Sequence, residues 1–271
     1  MTLYYWVVIY VMAGLLGVCV GSFLNVVIYR LPNGMSLSFP ASHCPKCGYE
    51  LKWYDNIPVL AYIILGGKCR SCKTRISPRY MAVELANMLL WLLSVALFWE
   101  RSIVFAVAAA LSSSLMICVF FIDIDCKIIY DRFVIMIGVL GLVASFFDPA
   151  YGWLSHLIGG AVGFCSFYLI AWSFEKLRGK EGLGGGDIKL TAVCGLLIGW
   201  QRLLLSIIIA TVSASIVLLI LSRKNSESSE ESEEATESAE YPFAPFLTSG
   251  FALAMFFGEA IIEWYLSLIG A

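Results

Sequence analysis

The chain has 271 residues, 60% hydrophobic and 14% charged, with a mean hydropathy of +0.83 and a formal net charge of -2. Soluble domains are about 45–50% apolar and about 25% charged, so this composition excludes an ordinary soluble enzyme and indicates an all-α polytopic membrane protein. The net charge says little about partners, because an acidic run near residue 230 offsets basic residues elsewhere.

The chain opens Met-Thr-Leu-Tyr-Tyr-Trp, with no basic n-region and no small-residue cleavage site. The first apolar segment is therefore expected to stay as a helix rather than to act as a removed signal. A spanning helix needs about 20 apolar residues. Segments meeting or approaching that length lie near 4–28, 81–99, 103–122, 133–148, 153–173, 188–200, 202–221 and 246–268, which predicts about eight transmembrane helices. The expected division is a first transmembrane helix over 1–29, a small module over 30–80 and a transmembrane core over 81–271.

Orientation follows from Lys and Arg in the loops. The 30–80 loop carries Arg30, Lys46, Lys52, Lys68, Arg70, Lys73, Arg75 and Arg79. With that loop cytoplasmic, alternation places 123–132, 174–187 and 222–245 inside as well, and these hold most of the remaining basic residues. The opposite loops hold only Arg101 and Arg202. Both termini then face outward.

Within the basic loop stand Cys44-Pro-Lys-Cys47 and Cys69-Arg-Ser-Cys72. Two Cys-x-x-Cys knuckles present four thiolates to one tetrahedral ion, as in structural zinc sites, and four protein ligands leave no open position for catalysis. A cytoplasmic location argues against stable disulfides. The module is thus expected to be a zinc knuckle, with Trp53-Tyr54-Asp55-Asn56-Ile57-Pro58 supplying turn and aromatic residues between its halves. Basic residues with aromatics also suit nucleic acid, but facing an anionic inner leaflet accounts for them more simply, so membrane lipid and no nucleic acid is expected.

The third apolar segment ends Ile122-Asp123-Ile-Asp125-Cys-Lys127, with Asp131 beyond it. A second boundary carboxylate, Asp187, follows the glycine-rich stretch Gly182-Leu-Gly184-Gly-Gly186 and precedes Lys189. Ionisable groups at the membrane boundary are costly and are functional candidates. The topology puts Asp123 and Asp187 at the same face. Two carboxylates brought together cannot both ionise easily, so a pair holds a proton between them and can activate water. That is the aspartyl protease device. Spacing alone leaves the partner of Asp187 open. Asp123 directly follows the apolar run and lies nearest the membrane plane, with Asp125 the alternative. Lys189 either pairs with a carboxylate of the dyad or snorkels to the lipid surface. The Ser/Glu run 225–240 has no large apolar residue and is expected to be a disordered loop.

Taken together, the motifs resemble those of the bacterial type IV prepilin peptidases. Gly21-Ser-Phe-Leu-Asn25 through Arg30-Leu-Pro32 resembles the family's N-terminal signature, and the paired Cys-x-x-Cys loop its zinc-binding module. Ile76-Ser-Pro-Arg79-Tyr80 with Val83-Glu84 looks like its approach to the second span. Gly184-x-Gly186-Asp187-x-Lys189 matches its Gly-x-Gly-Asp-x-Lys motif, and Tyr241-Pro-Phe-Ala-Pro245-Phe resembles its late Pro-Phe element. In the family the first catalytic Asp lies seven residues before the second residue of a Leu-Pro-Asp or Ile-Pro-Asp triplet. Here Ile129-Tyr130-Asp131 occupies that place, without the Pro, and counting back from Tyr130 selects Asp123.

The resemblance implies a bifunctional enzyme of the bacterial inner membrane. It would cut the short basic leader of prepilins or pseudopilins after a Gly at the cytoplasmic face, with Asp123 and Asp187 catalytic and Gly184, Gly186 and Lys189 in support. It would then methylate the new α-amino group with S-adenosylmethionine, while Cys44, Cys47, Cys69 and Cys72 hold structural zinc. Two competing readings are another Gly-x-Gly-Asp intramembrane protease, disfavoured by the knuckle loop, and a transporter or assembly scaffold. The last would show pseudo-repeated halves and midplane polar sites, and neither is visible.

Overall fold

A computed structural model describes residues 3–179, 183–228 and 242–270. Among them the regular elements are helices, and β pairing is confined to two isolated bridges. In order they are α1 (Leu3–Arg30), a 3₁₀ turn (Trp53–Asn56), α2 (Leu60–Ile64), α3 (Arg79–Phe98), α4 (Ile103–Cys126), α5 (Asp131–Ser145), α6 (Trp153–Arg178), α7 (Gly185–Ser228) and α8 (Ala244–Ile269).

Each of the eight apolar segments falls on a helix, and six helices are long and apolar enough to cross a membrane: α1, α3, α4, α6, α7 and α8. The chain is a multi-pass, all-helical membrane protein. Segments 188–200 and 202–221, expected as separate spans, are two helices on either side of Gly199 (φ 78, ψ 164) and together carry the label α7. Backbone in that region is open essentially to glycine alone, so one residue breaks the helix where a connecting loop would otherwise be needed. α7 also continues through 225–228, the first residues of the acidic run. Extending an existing helix by a few residues is easy once it is nucleated. The rest of the expected disordered loop, 229–240, lies outside the described residues, as does Tyr241.

The chain divides into two compact units, Met1–Ile122 and Asp123–Ala271. In the first, α1 and α3 meet through small residues: a Cβ on Gly17 would lie 2.9 Å from Met88 Cα, and one on Gly21 2.8 Å from Glu84 Cα. Such close backbone approach is how helices associate in lipid, where no hydrophobic force separates them from solvent. It leaves buried polar groups that must be satisfied. Asn87 Nδ2 donates to Gly17 O (2.6 Å), Ser114 Oγ donates to Asn87 Oδ1 (2.7 Å), and Trp91 Nε1 donates to Ser114 Oγ (2.9 Å), tying α1, α3 and α4 together. Asn25 Nδ2 adds an interhelical bond to Tyr80 O at 3.0 Å.

In the second unit α7 is packed by α5, α6 and α8. Gly159 and Gly195 touch backbone to backbone, and a Cβ on Gly163 would lie 2.8 Å from Thr191 O. One end of this unit holds a buried charge cluster. Arg202 Nη1 donates to Asp148 Oδ2 (2.9 Å), and both side chains are essentially inaccessible. His156 Nε2 lies 3.1 Å from the same oxygen, while its Nδ1 is 3.1 Å from Leu196 O. Glu259 stands 3.8 Å from Arg202 Nη2, and the guanidinium lies over the Tyr151 ring. Arg202, expected in a loop, is instead a core residue just beyond the break in α7.

Candidate active site and metal centre

Four helix ends of the second unit gather the expected site residues. Asp123 stands in the last turn of α4, Asp131 begins α5, Asp187 is in the first turn of α7, and Ala244 begins α8. Asp123 is 6% exposed, whereas Asp125 and Asp131 are exposed. Helical spacing explains the difference, because residues two apart in a helix point in different directions. The Ala244 amide donates to Asp123 Oδ2 at 3.2 Å. This is an otherwise unmatched N–H of the first turn of α8, so the start of α8 supplies a donor to the carboxylate at the end of α4. Sequence reasoning left this contact out. Its one available signal was the Pro-Phe-Ala-Pro run, whose Pro245 falls in the first turn of a helix as prolines commonly do.

Asp187 lies close enough to Asp123 for their charges to interact. Its backbone is fixed by two contacts: its amide donates to Gly184 O (3.0 Å), and its carbonyl accepts from Thr191 Oγ1 (2.8 Å). Its Oδ1 is buried with no hydrogen-bond partner among the described residues. A buried polar atom without a partner is rare and calls for an explanation. A buried carboxylate oxygen without a partner suits a group that binds a reactant.

The glycines have more specific roles than flexibility. Gly185 and Gly186 belong to the first turn of α7, and a Cβ on Gly186 would sit 2.9 Å from Ile129 Cβ. The α4–α5 connection therefore packs directly on the α7 backbone beside Asp187. Gly184 is exposed, and a Cβ there would stand 3.5 Å from Asp187 Oδ2. Lys189 pairs with Asp131 (Nζ to Oδ1, 2.8 Å), with both side chains more than half exposed. Gly182 lies outside the described residues.

The cysteines are in the first unit. The Sγ atoms of Cys44, Cys47, Cys69 and Cys72 all lie within 4.8 Å of one another, with Cys44–Cys72 at 3.8 Å and Cys47–Cys69 at 4.0 Å. Tetrahedral ligands about 2.3 Å from zinc are spaced about 3.8 Å apart, so the cluster fits a zinc knuckle. The halves are built alike. In each, the first Cys amide bonds to the carbonyl five residues on (Cys44 to Tyr49 at 2.9 Å, Cys69 to Thr74 at 2.8 Å), and the residue after the second Cys has positive φ (Gly48 and Lys73). The Thr74 hydroxyl and amide beside Cys72 hold its thiol down to about 6, whereas burial and the neighbouring cysteine thiols push Cys47 up to about 11.

Asp55 joins the halves. Buried at 7% exposure, it accepts from Tyr49 Oη (3.1 Å), the Lys52 amide (3.3 Å) and Arg70 Nε (2.7 Å). Burial pushes its carboxyl up, but Arg70 and the other donors outweigh that and hold it below the usual carboxylate range.

Residues 15–98 match the Bacterial Peptidase A24 N-terminal domain, and residues 110–219 match the Type IV leader peptidase family. A prepilin leader peptidase/N-methyltransferase of Pseudomonas aeruginosa is 34% identical over 94% of this chain and 93% of its own length. The chain belongs to the type IV leader peptidase family. A Burkholderia pseudomallei member of the same name is 34% identical over 94% of this chain and 86% of its own length. One from Myxococcus xanthus is 37% identical over 74% of this chain and 60% of its own. No solved structure matches the chain.

Proposed function

We propose that this protein is a prepilin leader peptidase and N-methyltransferase of the bacterial inner membrane, with Asp123 and Asp187 as its catalytic carboxylates. It cleaves the leader from prepilins and methylates the α-amino group released. The observation that carries the assignment of residues is the burial of Asp123 beside Asp187, whose Oδ1 has no partner among the described residues.

One carboxylate, ionised, takes a proton from water as the water attacks the carbonyl carbon of the scissile peptide. The other, protonated, donates to the carbonyl oxygen, and the proton taken from water then goes to the departing amine. The Ala244 amide, bonded to Asp123 Oδ2, stabilises that carboxylate's charge and fixes its orientation. The exposed Gly184 leaves room for an extended substrate backbone next to Asp187. The Lys and Arg distribution supports a cytoplasmic location for the site and the cysteine module, and the basic leader of the substrate meets the same face.

The four cysteines would hold zinc, which supplies a fixed crosslink between the halves of the module. S-adenosylmethionine is the methyl donor that N-methylation calls for.

The test is cleavage of a prepilin with a Gly-Phe junction by purified protein. Asp123→Asn and Asp187→Asn should each abolish cleavage, while Asp125→Asn retains it. Full activity in either of the first two variants would refute the pairing.

A further inference from the structure

The cysteine module leaves an apolar face uncovered. On α2, Leu60, Ile63 and Ile64 are 56%, 62% and 77% exposed, and Trp53, just before it, is 79% exposed. Positions 60, 63 and 64 share one side of a helix, whereas Ala61 turns inward and Tyr62 Oη donates to Ile76 O at 3.4 Å. Inside a small hydrophilic module these are the residues expected to be buried, and they point away from it.

Their depth says what covers them. α3 has 20 residues, from Arg79 to Phe98. At 1.5 Å per residue it is about 30 Å long, the thickness of the hydrocarbon layer, so Arg79 stands at the boundary of that layer. Glu84 lies five residues further along, about 7.5 Å of rise. Its Oε2 accepts from the Val59 amide at 2.7 Å. Val59 immediately precedes α2, so this bond fixes the start of α2 alongside the second turn of a spanning helix. A helix at that level meets lipid with whatever side chains it turns outward.

Charge agrees. Residues 30–80 hold eight Lys and Arg against Glu50 and Asp55 alone, and Lys52, Lys68 and Arg75 of the same module are exposed. Exposed apolar side chains and a Trp within a basic module are the composition of an interfacial anchor on an anionic leaflet.

We infer that α2 and Trp53 form a membrane-interface anchor, which inserts Leu60, Ile63 and Ile64 into an anionic leaflet and fixes the cysteine module against the bilayer. The inference is independent of the peptidase assignment.

The full-length protein in nanodiscs, with the photoreactive residue p-benzoylphenylalanine replacing Ile64, tests it. The same residue at Leu89, an exposed position inside α3, is the positive control, and at Glu50 the negative control. Lipid adducts at position 64 should come within about threefold of those at position 89 and rise about fivefold from zwitterionic to anionic lipid. Position 50 should give almost none. A thermal unfolding midpoint matching that of the wild-type protein in the same nanodiscs shows that the position-64 variant is folded. Absence of lipid adducts at position 64 while position 89 labels lipid overturns the anchor, as do adducts there to a second copy of the chain. Labelling that is equal in both lipids overturns the anionic selectivity.

Discussion

Lys189 in the first turns of α7 bonds to Asp131, the first residue of α5, across 2.8 Å. The motif lysine therefore engages a carboxylate outside the proposed catalytic pair. Both side chains are more than half exposed, and surface ion pairs contribute about 0–1 kcal/mol. Lys189→Gln and Asp131→Asn should each lower peptidase kcat by less than about tenfold, and the double variant should match the worse single one. A loss in Lys189→Gln alone that approaches that of Asp187→Asn would show that the lysine acts on the catalytic carboxylates.

Gly186 faces the branched carbon of Ile129, which cannot swing aside. Gly186→Ala should destabilise by about 1–3 kcal/mol through overpacking and displace the first turn of α7 that carries Asp187. Trimming the opposing side chain with Ile129→Ala should restore part of both stability and turnover. Thermal unfolding in detergent and steady-state cleavage measure the two effects. If the double variant is no better than Gly186→Ala, contact with Ile129 is not the reason for glycine at this position.

The Asp148–Arg202 pair is sealed from solvent. Removing one member of a buried pair costs about 3–5 kcal/mol because the other charge is stranded. Arg202→Leu should therefore unfold far more readily than wild type, and Arg202→Leu with Asp148→Asn should recover part of the loss. Recovery distinguishes a stranded charge from a simple packing defect.

Asp55 gives the cysteine module a predictable acid response. Its folded carboxyl lies below the ordinary value, so its contribution is present above about pH 4 and is lost as pH falls through the lower folded value. Asp55→Asn should weaken the module by about 2 kcal/mol at neutral pH and have less effect at acid pH, where the wild-type group is protonated too. Acid also releases zinc from thiolates, so the two proteins are to be compared at each pH. Cys44→Ser should remove the bound zinc, about one ion per chain in wild type, as measured by metal analysis.

The positions of the helices were legible because spanning segments must be apolar over a set length. The cysteine cluster was legible because each half of it is encoded within a few residues. The tightness of the break within α7 was not, since Gly-Trp-Gln-Arg at 199–202 has the polarity of a loop. Only the backbone reveals that a single glycine makes the break and that Arg202 turns inward to Asp148. Likewise His156 has no distinguishing neighbours in sequence. Its partners Asp148 and Leu196 reach it from a loop and a distant helix, and such pairings are set by packing. The difference between Asp123 and Asp125 was partly visible, because the apolar run ends at Asp123; the amide of Ala244 that meets it comes from 121 residues away.

The knuckles also contain an internal calibration. The same left-handed turn is made by Gly48 in one half (φ 69) and by Lys73 in the other (φ 58). A side chain in that conformation costs about 1–2 kcal/mol, offset in part by the greater freedom that glycine loses on folding. Exchanging the residues one at a time compares a strained and a relaxed copy of a single turn within one molecule: Lys73→Gly should tighten the module and Gly48→Lys should loosen it. Lysine's presence at 73 indicates that the fold tolerates this strain in one half, leaving a side chain free there for selection to use.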